Sequence, residues 1–219
     1  ERSLGGRSPT LGTESINRKI IALCKRIEKE KINGIVELVP SYRDVCIFYN
    51  PLVISIKQIK VELGRFLKES LSLNEESEIK NVIEVPVLYG SKVGLDLECV
   101  AKYTNLTQEE VIELHSSREY RVYMIGFSPG FAYLGGLSEK LYIPRREIPI
   151  PEMPKNSIAL GGKQTGILTI PSPSGWWCIG RTPLDFYKIN SSISILVKSG
   201  DYIKFKAIDE EEYNLMLNK

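Results

Sequence analysis

Residues 121–183 read RVYMIGFSPGFAYLGGLSEKLYIPRREIPIPEMPKNSIALGGKQTGILTIPSPSGWWCIGRTP, and this stretch decides the fold. Its 63 residues hold eight of the twelve prolines and nine of the seventeen glycines of the chain. Proline interrupts the hydrogen-bond ladder of a helix and glycine weakens it, so long helices are excluded here. The short apolar runs between these residues instead predict a β-barrel or sandwich of short strands.

The residues before this stretch carry mixed helix and strand patterns. Apolar residues at helical spacing predict helices from Ser15 to about Asn33 and from about Ser55 to Leu71. The β-branched runs at 35–39 and 45–49 predict a hairpin between them. The order helix, strand, strand, helix is most of a split β-α-β-β-α-β unit. Its first strand would lie within residues 1–14, which otherwise read as a loop, a disordered lead-in or a tag.

A change in composition near residue 80 predicts two domains. The first, residues 1–77, is α+β, and the charged stretch 74–80 suits a linker. The second, residues 78–219, is mainly β with a small helical insert. In that insert Thr107, with Glu110 three residues later, predicts a capping box at the start of a helix.

Composition and charge exclude several classes of function. The 219 residues include 29 Lys and Arg against 27 Asp and Glu, and a net charge of +2 is too small for a nucleic-acid binder. No apolar run reaches the roughly 18 residues of a membrane span, so we expect a cytoplasmic protein without a membrane partner. The four cysteines have no C-x-x-C spacing and His115 is the single histidine. We therefore expect no metal site, and thiols that are reduced and fill the core.

Several separate motifs occur in a fixed order along the second domain. They are HSSREYRVYMIGFSPGFAYL at 115–134, PRR at 144–146, ALGGKQTG at 159–166, SPSGW at 172–176, IGRTP at 179–183 and GDYIKF at 200–205. Together they closely resemble the bacterial family that includes the B-type subunit of 5-oxoprolinase, allophanate hydrolase subunit 1 and a sporulation histidine-kinase inhibitor. The resemblance runs from about Ser15 to Phe205. Ser174 departs from it, because the family usually has glycine there.

This resemblance implies a ferredoxin-like N-terminal domain followed by a cyclophilin-like β-barrel domain. It implies one subunit of an ATP-dependent 5-oxoprolinase that opens 5-oxo-L-proline to L-glutamate. The partners would be a homologous C-type cyclophilin-like subunit and an A-type subunit. ATP would be used by the assembled complex, with no cofactor bound by this chain alone. The alternatives are a module that inhibits a sensor histidine kinase and a carboxyltransferase subunit of the allophanate hydrolase or urea carboxylase type.

Candidate ligand-binding residues lie on the turns of the second domain. Phe127 and Phe131 belong to the segment GFSPGF at 126–131, in which glycine and proline predict a turn. The two rings form either a pocket rim or a barrel corner packed into the core. Arg145 and Arg181 follow proline and glycine, where a guanidinium could clamp a carboxylate or a phosphate, although each could equally be solvated or ion-paired. An amide ligand with a carboxylate fits such a pair.

Other residues are candidates for proton transfer and polar contacts. His115 ends a predicted helix, where it acts either as an acid or base or as a structural hydrogen-bonding group; the family resemblance places a histidine here. Lys163, Gln164 and Thr165 are candidate contacts to an acidic substrate, but their glycine-rich segment does not match a P-loop. The adjacent tryptophans 176 and 177 would face opposite sides of a strand.

Overall fold

The computed structural model describes residues 11–72, 80–188 and 195–218, which form an α+β structure. The helices are α1 (Leu11–Glu30), α2 (Ile56–Ser72), α3 (Leu97–Thr104), α4 (Gln108–Ser116) and α5 (Glu210–Leu217). The strands are β1 (Ile35–Pro40), β2 (Val45–Tyr49), β3 (Val82–Tyr89), β4 (Glu119–Ile125), β5 (Ala132–Gly135), β6 (Ile150–Met153), β7 (Ser157–Gly161), β8 (Gln164–Leu168), β9 (Ser172–Ser174), β10 (Trp177–Arg181) and β11 (Tyr202–Ala207). The described residues form two compact units, divided between Lys80 and Asn81.

The N-terminal unit contains the predicted hairpin between two helices. Strands β1 and β2 pair antiparallel, and α1 and α2 pack together over a small core of Leu23, Ile27 and Phe66. The prediction of a loop up to residue 14 is wrong for residues 11–14, because α1 already begins at Leu11. An ion pair of 2.8 Å between Glu14 and Arg18, one helical turn apart, supports this early start. Residues 1–10, where the rest of the expected first strand would lie, and most of the predicted linker are outside the described residues.

The second unit contains the predicted β-barrel. Seven strands close in the order β10-β3-β11-β4-β5-β8-β7, and all neighbours are antiparallel except β3 and β11. Residues 121–183 are all described, and their one helical segment is a 3-10 turn at Glu139–Leu141. The density of proline and glycine thus predicted the absence of longer helices correctly.

Side chains alternate between the interior and the outer face of the barrel. On β7, Ile158 and Leu160 belong to the interior core, whereas Ala159 belongs to a second cluster on the outer face. The strands β6 and β9 form a separate antiparallel pair, and Met153 of β6 is fully buried in this outer cluster. The outer face therefore has its own apolar layer, and that layer carries the candidate site.

The helical insert packs against the barrel through buried apolar residues. Helices α3 and α4 contact β10 and β11, and Val100 and Val111 reach the interior core. The predicted capping box is confirmed: the Glu110 N–H donates to Thr107 Oγ1 at 3.1 Å, and the Thr107 N–H donates to the Glu110 carboxylate at 2.7 Å.

The four cysteines are free, and their surroundings differ. Cys24 and Cys178 are buried, as expected of core thiols, whereas Cys46 and Cys99 are exposed, so the expectation is wrong for the last two. None of the helices in the described part of the chain is long and apolar enough to span a membrane.

The capping box gives a stability prediction. Thr107→Ala removes the acceptor for a backbone N–H at the start of α4 and should lower the free energy of unfolding by about 1 kcal/mol. Thr107→Ser keeps the hydroxyl and should stay close to the wild type. Urea denaturation of the three chains measures both effects, and equal stability of the alanine and serine variants would contradict the prediction.

Candidate functional site

An open pocket of about 120 Å³ lies on the outer face of the barrel. Its walls come from the turn before β5, from β5 and β8, from the segment after the 3-10 turn, and from β9 and the residues that follow it. The lining residues are Phe127, Phe131, Tyr133, Arg145, Leu168, Pro173, Ser174, Gly175 and Trp176. Three of the predicted site residues, Phe127, Phe131 and Arg145, therefore meet in one place.

The pocket is built on an indole ring that rests on glycine backbone. An ideal Cβ on Gly161 would lie 2.6 Å from atoms of the Trp176 ring, and one on Gly166 would lie 3.0 Å from Phe131 and 3.2 Å from Trp176. Any side chain at Gly161 would have to displace the indole. Gly161 and Gly166 thus leave room for the aromatic rings to pack closely on the strand backbone.

Ser174 holds the backbone next to this ring. Its hydroxyl oxygen accepts a hydrogen bond from the Trp176 N–H at 3.1 Å, and the residue itself lines the pocket. At a position where the resembling family usually has glycine, this chain therefore adds a polar group to the wall.

Phe127 stands at the pocket rim in a strained turn. Its side chain is 76% exposed, and its ring meets Phe131 edge to face with a centroid distance of 5.8 Å. Phe127 has φ of +69°, and the Ser128 N–H donates to the Gly126 carbonyl at 2.9 Å, which closes a γ-turn around it. This γ-turn is the rare, strained form. Backbone strain of this kind concentrates at functional sites.

Arg145 supplies the positive charge of the pocket. Its guanidinium carbon lies 5.6 Å from the centroid of the Trp176 ring. No carboxylate of the described residues forms an ion pair with it, whereas the neighbouring Arg146 is paired with Asp96. Burial raises the pKa of Tyr133, and the nearby Arg145 charge opposes that shift. The pocket thus combines one available cation with aromatic walls, an arrangement suited to a small anion with a flat apolar part.

His115 lies in the barrel interior, where its ring stacks on Phe205 with a centroid distance of 4.6 Å and has no solvent exposure. The Thr165 hydroxyl donates to the Ala159 carbonyl, so it accepts from His115 Nε2 at 2.8 Å. His115 Nδ1 in turn accepts from the Tyr89 hydroxyl at 2.7 Å.

Burial, together with the Arg118 charge, lowers the pKa of His115 to about 3. The ring is therefore neutral at neutral pH, and both of its nitrogens are satisfied within the protein. This is the structural alternative that the sequence left open.

The other predicted contacts are spread over different places. Thr165 is buried with His115 in the interior, while Lys163 is exposed at the turn between β7 and β8, 5.4 Å from the Tyr142 ring. Gln164 is half-buried beside it. Arg181 ends β10, and its Nε donates to the Lys155 carbonyl at 2.9 Å. The structure does not bring Arg181 to the pocket that contains Arg145.

The sequence offered no reason to select Tyr133 as a site residue, but it did indicate a role for one of the two tryptophans. Nothing in the sequence distinguishes Tyr133 from the other aromatic residues on strands. The tryptophans are adjacent, and adjacent strand residues point to opposite sides, so only one of them is expected to face the core. Trp176 does face the outer cluster, while Trp177 packs against the interior core and under Arg146 at 4.0 Å.

Comparison with known proteins places this arrangement in a family. The family model named carboxyltransferase domain, subdomain C and D, matches residues 7–197. The chain belongs to this family. A relative from Bacillus subtilis, named as the B-type subunit of 5-oxoprolinase, is 36% identical over 209 residues, which cover 92% of this chain and 87% of the relative.

Two solved structures have a similar fold. The protein TTHA0988 superposes with a TM-score of 0.79 at 32% identity, over 93% of this chain and 39% of that one. The urea carboxylase of Kluyveromyces lactis superposes with a TM-score of 0.73 at 18% identity, over 94% of this chain and 21% of that one, which supports the fold alone. This chain thus spans well under half of either solved chain.

The buried histidine gives a pH prediction. The folded chain binds a proton at His115 only near pH 3, whereas the unfolded chain binds one near 6.5, so His115 contributes its full stability above about 6.5 and loses it as the pH falls. Between about pH 6 and pH 4 the free energy of unfolding should fall about 1.4 kcal/mol per pH unit more steeply in the wild type than in His115→Gln. Urea denaturation at several pH values measures this slope, and parallel slopes would contradict the prediction.

The γ-turn gives a second prediction. Phe127→Gly and Phe127→Ala both remove the ring, but only glycine adopts positive φ without strain. The glycine variant should therefore be more stable than the alanine variant by about 1 kcal/mol. Thermal or urea denaturation compares the two, and a more stable alanine variant would show that the turn carries no strain.

Proposed function

We propose that this chain is the B-type subunit of an ATP-dependent 5-oxoprolinase, which opens the lactam of 5-oxo-L-proline to L-glutamate. The observation that carries the proposal is the Arg145 guanidinium beside the aromatic rings of the pocket, in a chain whose relative is named as this subunit of 5-oxoprolinase. The complex would work in the cytoplasm with an A-type subunit and a homologous C-type subunit, and ATP would be consumed by the assembly.

In this proposal Arg145 binds the carboxylate of 5-oxo-L-proline by charge-assisted hydrogen bonds. The rings of Phe131 and Trp176 cover the faces of the lactam and exclude water from it. Tyr133, close to Arg145, offers a hydroxyl to the ring amide. His115 has no place among the reacting groups, because its ring is enclosed and neutral.

The architecture of the proposed subunit follows the same resemblance. The unit with α1, β1, β2 and α2 is proposed to be ferredoxin-like, and the barrel to be cyclophilin-like. Inhibition of a sensor histidine kinase stays a prediction from the sequence. Carboxyl transfer is the second candidate function, and the name of the matching family favours it.

The proposal predicts a specific effect of Arg145→Gln. In a mixture of this chain with the A-type and C-type subunits, 5-oxo-L-proline and ATP, glutamate should form. Arg145→Gln should raise KM for 5-oxo-L-proline roughly ten- to a hundredfold, because a hydrogen bond to a charged group contributes about 1.5–3 kcal/mol. Arg43→Gln, which removes an exposed arginine of the N-terminal unit, is the charge-matched control.

Other outcomes separate the alternatives. If the complete mixture forms no glutamate, the proposed activity is wrong. Glutamate formation with an unchanged KM in Arg145→Gln would place the substrate elsewhere. Arg181→Gln tests the second predicted clamp, since a KM as high as that of Arg145→Gln would return Arg181 to the site. Bicarbonate- and biotin-dependent turnover of an amide would favour carboxyl transfer.

A further inference from the structure

Asp96, directly before α3, places one carboxylate between two segments of the pocket wall. Its Oδ2 accepts from the Cys178 N–H at 2.8 Å, and its Oδ1 forms an ion pair with Arg146. The Asp96 N–H also donates to the Cys178 carbonyl at 2.9 Å. Asp96 occupies the N-cap position of α3, yet its side chain makes no capping hydrogen bond. The carboxylate is used instead to join the segments 144–146 and 175–178.

These two segments are held together by further contacts on the same side. The Arg146 N–H donates to the Gly175 carbonyl at 2.7 Å, and Trp177 Nε1 donates to the Pro144 carbonyl at 2.7 Å. The Arg146 guanidinium lies 4.0 Å from the centroid of the Trp177 ring. The side chains of Asp96 and Arg146 are only 12% and 21% exposed, so the pair lies largely out of water.

The opposite side of the same two segments forms the pocket. Arg145 precedes Arg146 in one segment, and Trp176 precedes Trp177 in the other. Arg145 and Trp176 both line the pocket, and the Arg145 guanidinium carbon lies 5.6 Å from the centroid of the Trp176 ring. Two adjacent Arg–Trp pairs thus face in opposite directions. The contacts of Asp96 with Arg146 and Cys178 thus lie on the side of these segments that is opposite to Arg145 and Trp176.

We propose that Asp96 is a positioning residue of the pocket, which holds Arg145 in register with Trp176 by binding Arg146 and the Cys178 backbone with one carboxylate. Asp96 does not line the pocket, so it acts through these two neighbours. The identity of the ligand rests on the function proposed above, but the geometric role of Asp96 does not. Its experiment therefore has one part without a ligand and one part with it.

The first part observes Arg145 in the full chain by NMR. The Trp176 ring should displace the Nε–Hε resonance of Arg145 from its usual position, and Arg145→Lys assigns that resonance. In Asp96→Asn and in Arg146→Gln the resonance should move toward the position of a free arginine. Asp185→Asn is the matched control, because Asp185 also accepts from a lysine and an amide, Lys155 and Asn156, outside the pocket. It should leave the resonance unchanged.

The second part measures kinetics in the assembled complex. Asp96→Asn and Arg146→Gln should raise KM for 5-oxo-L-proline on the order of ten- to a hundredfold, the cost of misplacing a binding group by about 1 Å. The double variant should be no worse than the poorer single one, because both changes break the same pair. Asp185→Asn should keep the wild-type KM even if it loses similar stability.

The NMR result tests the positioning role of Asp96, and the kinetic result tests the identity of the ligand. An unmoved Arg145 resonance in a folded Asp96→Asn or Arg146→Gln chain overturns the positioning role. A moved resonance without glutamate formation by the wild-type complex supports that role and rejects the ligand. If Asp96→Asn does not fold, Arg146→Gln still decides, since it leaves the bond between Asp96 and Cys178 in place.

Discussion

Strand alternation in a closed barrel is the constraint on which the rest of this structure depends. Successive residues of β7, β8 and β5 must point alternately to the interior and to the outer face. On β8, Thr165 points inward to His115, and the next residue, Gly166, points outward beneath Phe131 and Trp176. A buried polar network and an open pocket are therefore separated by the thickness of a single strand.

The two faces of the barrel wall accommodate different side chains, a buried polar histidine inside and a bulky tryptophan outside. Inside, a polar imidazole is tolerated because Tyr89, His115, Thr165 and the Ala159 carbonyl form an unbroken hydrogen-bond chain. Outside, a bulky indole is seated closely because Gly161 offers no side chain. The same hairpin of β7 and β8 thus borders a buried polar network on one side and the open pocket on the other. A glycine at position 161 is required by the tryptophan above it.

The sequence predicted most of the described helices and the barrel, but it did not predict which candidate side chains the structure brings together, for one physical reason. Proline density, apolar periodicity and the Thr107–Glu110 box are local signals, and local backbone energetics determine helices, turns and short strands. Whether a side chain enters a pocket depends on register between distant strands. Arg145 follows a proline and Arg181 follows a glycine, and the sequence makes both candidates for the same ligand, yet Arg181 ends β10 and does not line the pocket with Trp176. His115 is close in sequence to the pocket residues Phe127 and Phe131, but in the structure the barrel wall lies between the histidine and the pocket.

The charge of the pocket limits what it can bind. Because neighbouring residues of an extended segment face opposite ways, Arg145 and Arg146 cannot both enter the pocket, and Asp96 neutralises the second. Arg145 is the single cation among the described lining residues. One guanidinium over neutral aromatic rings complements a monocarboxylate, whereas a triphosphate requires several cations or a metal ion to balance its charge. The charge of the pocket therefore suits a small monocarboxylate better than a nucleotide.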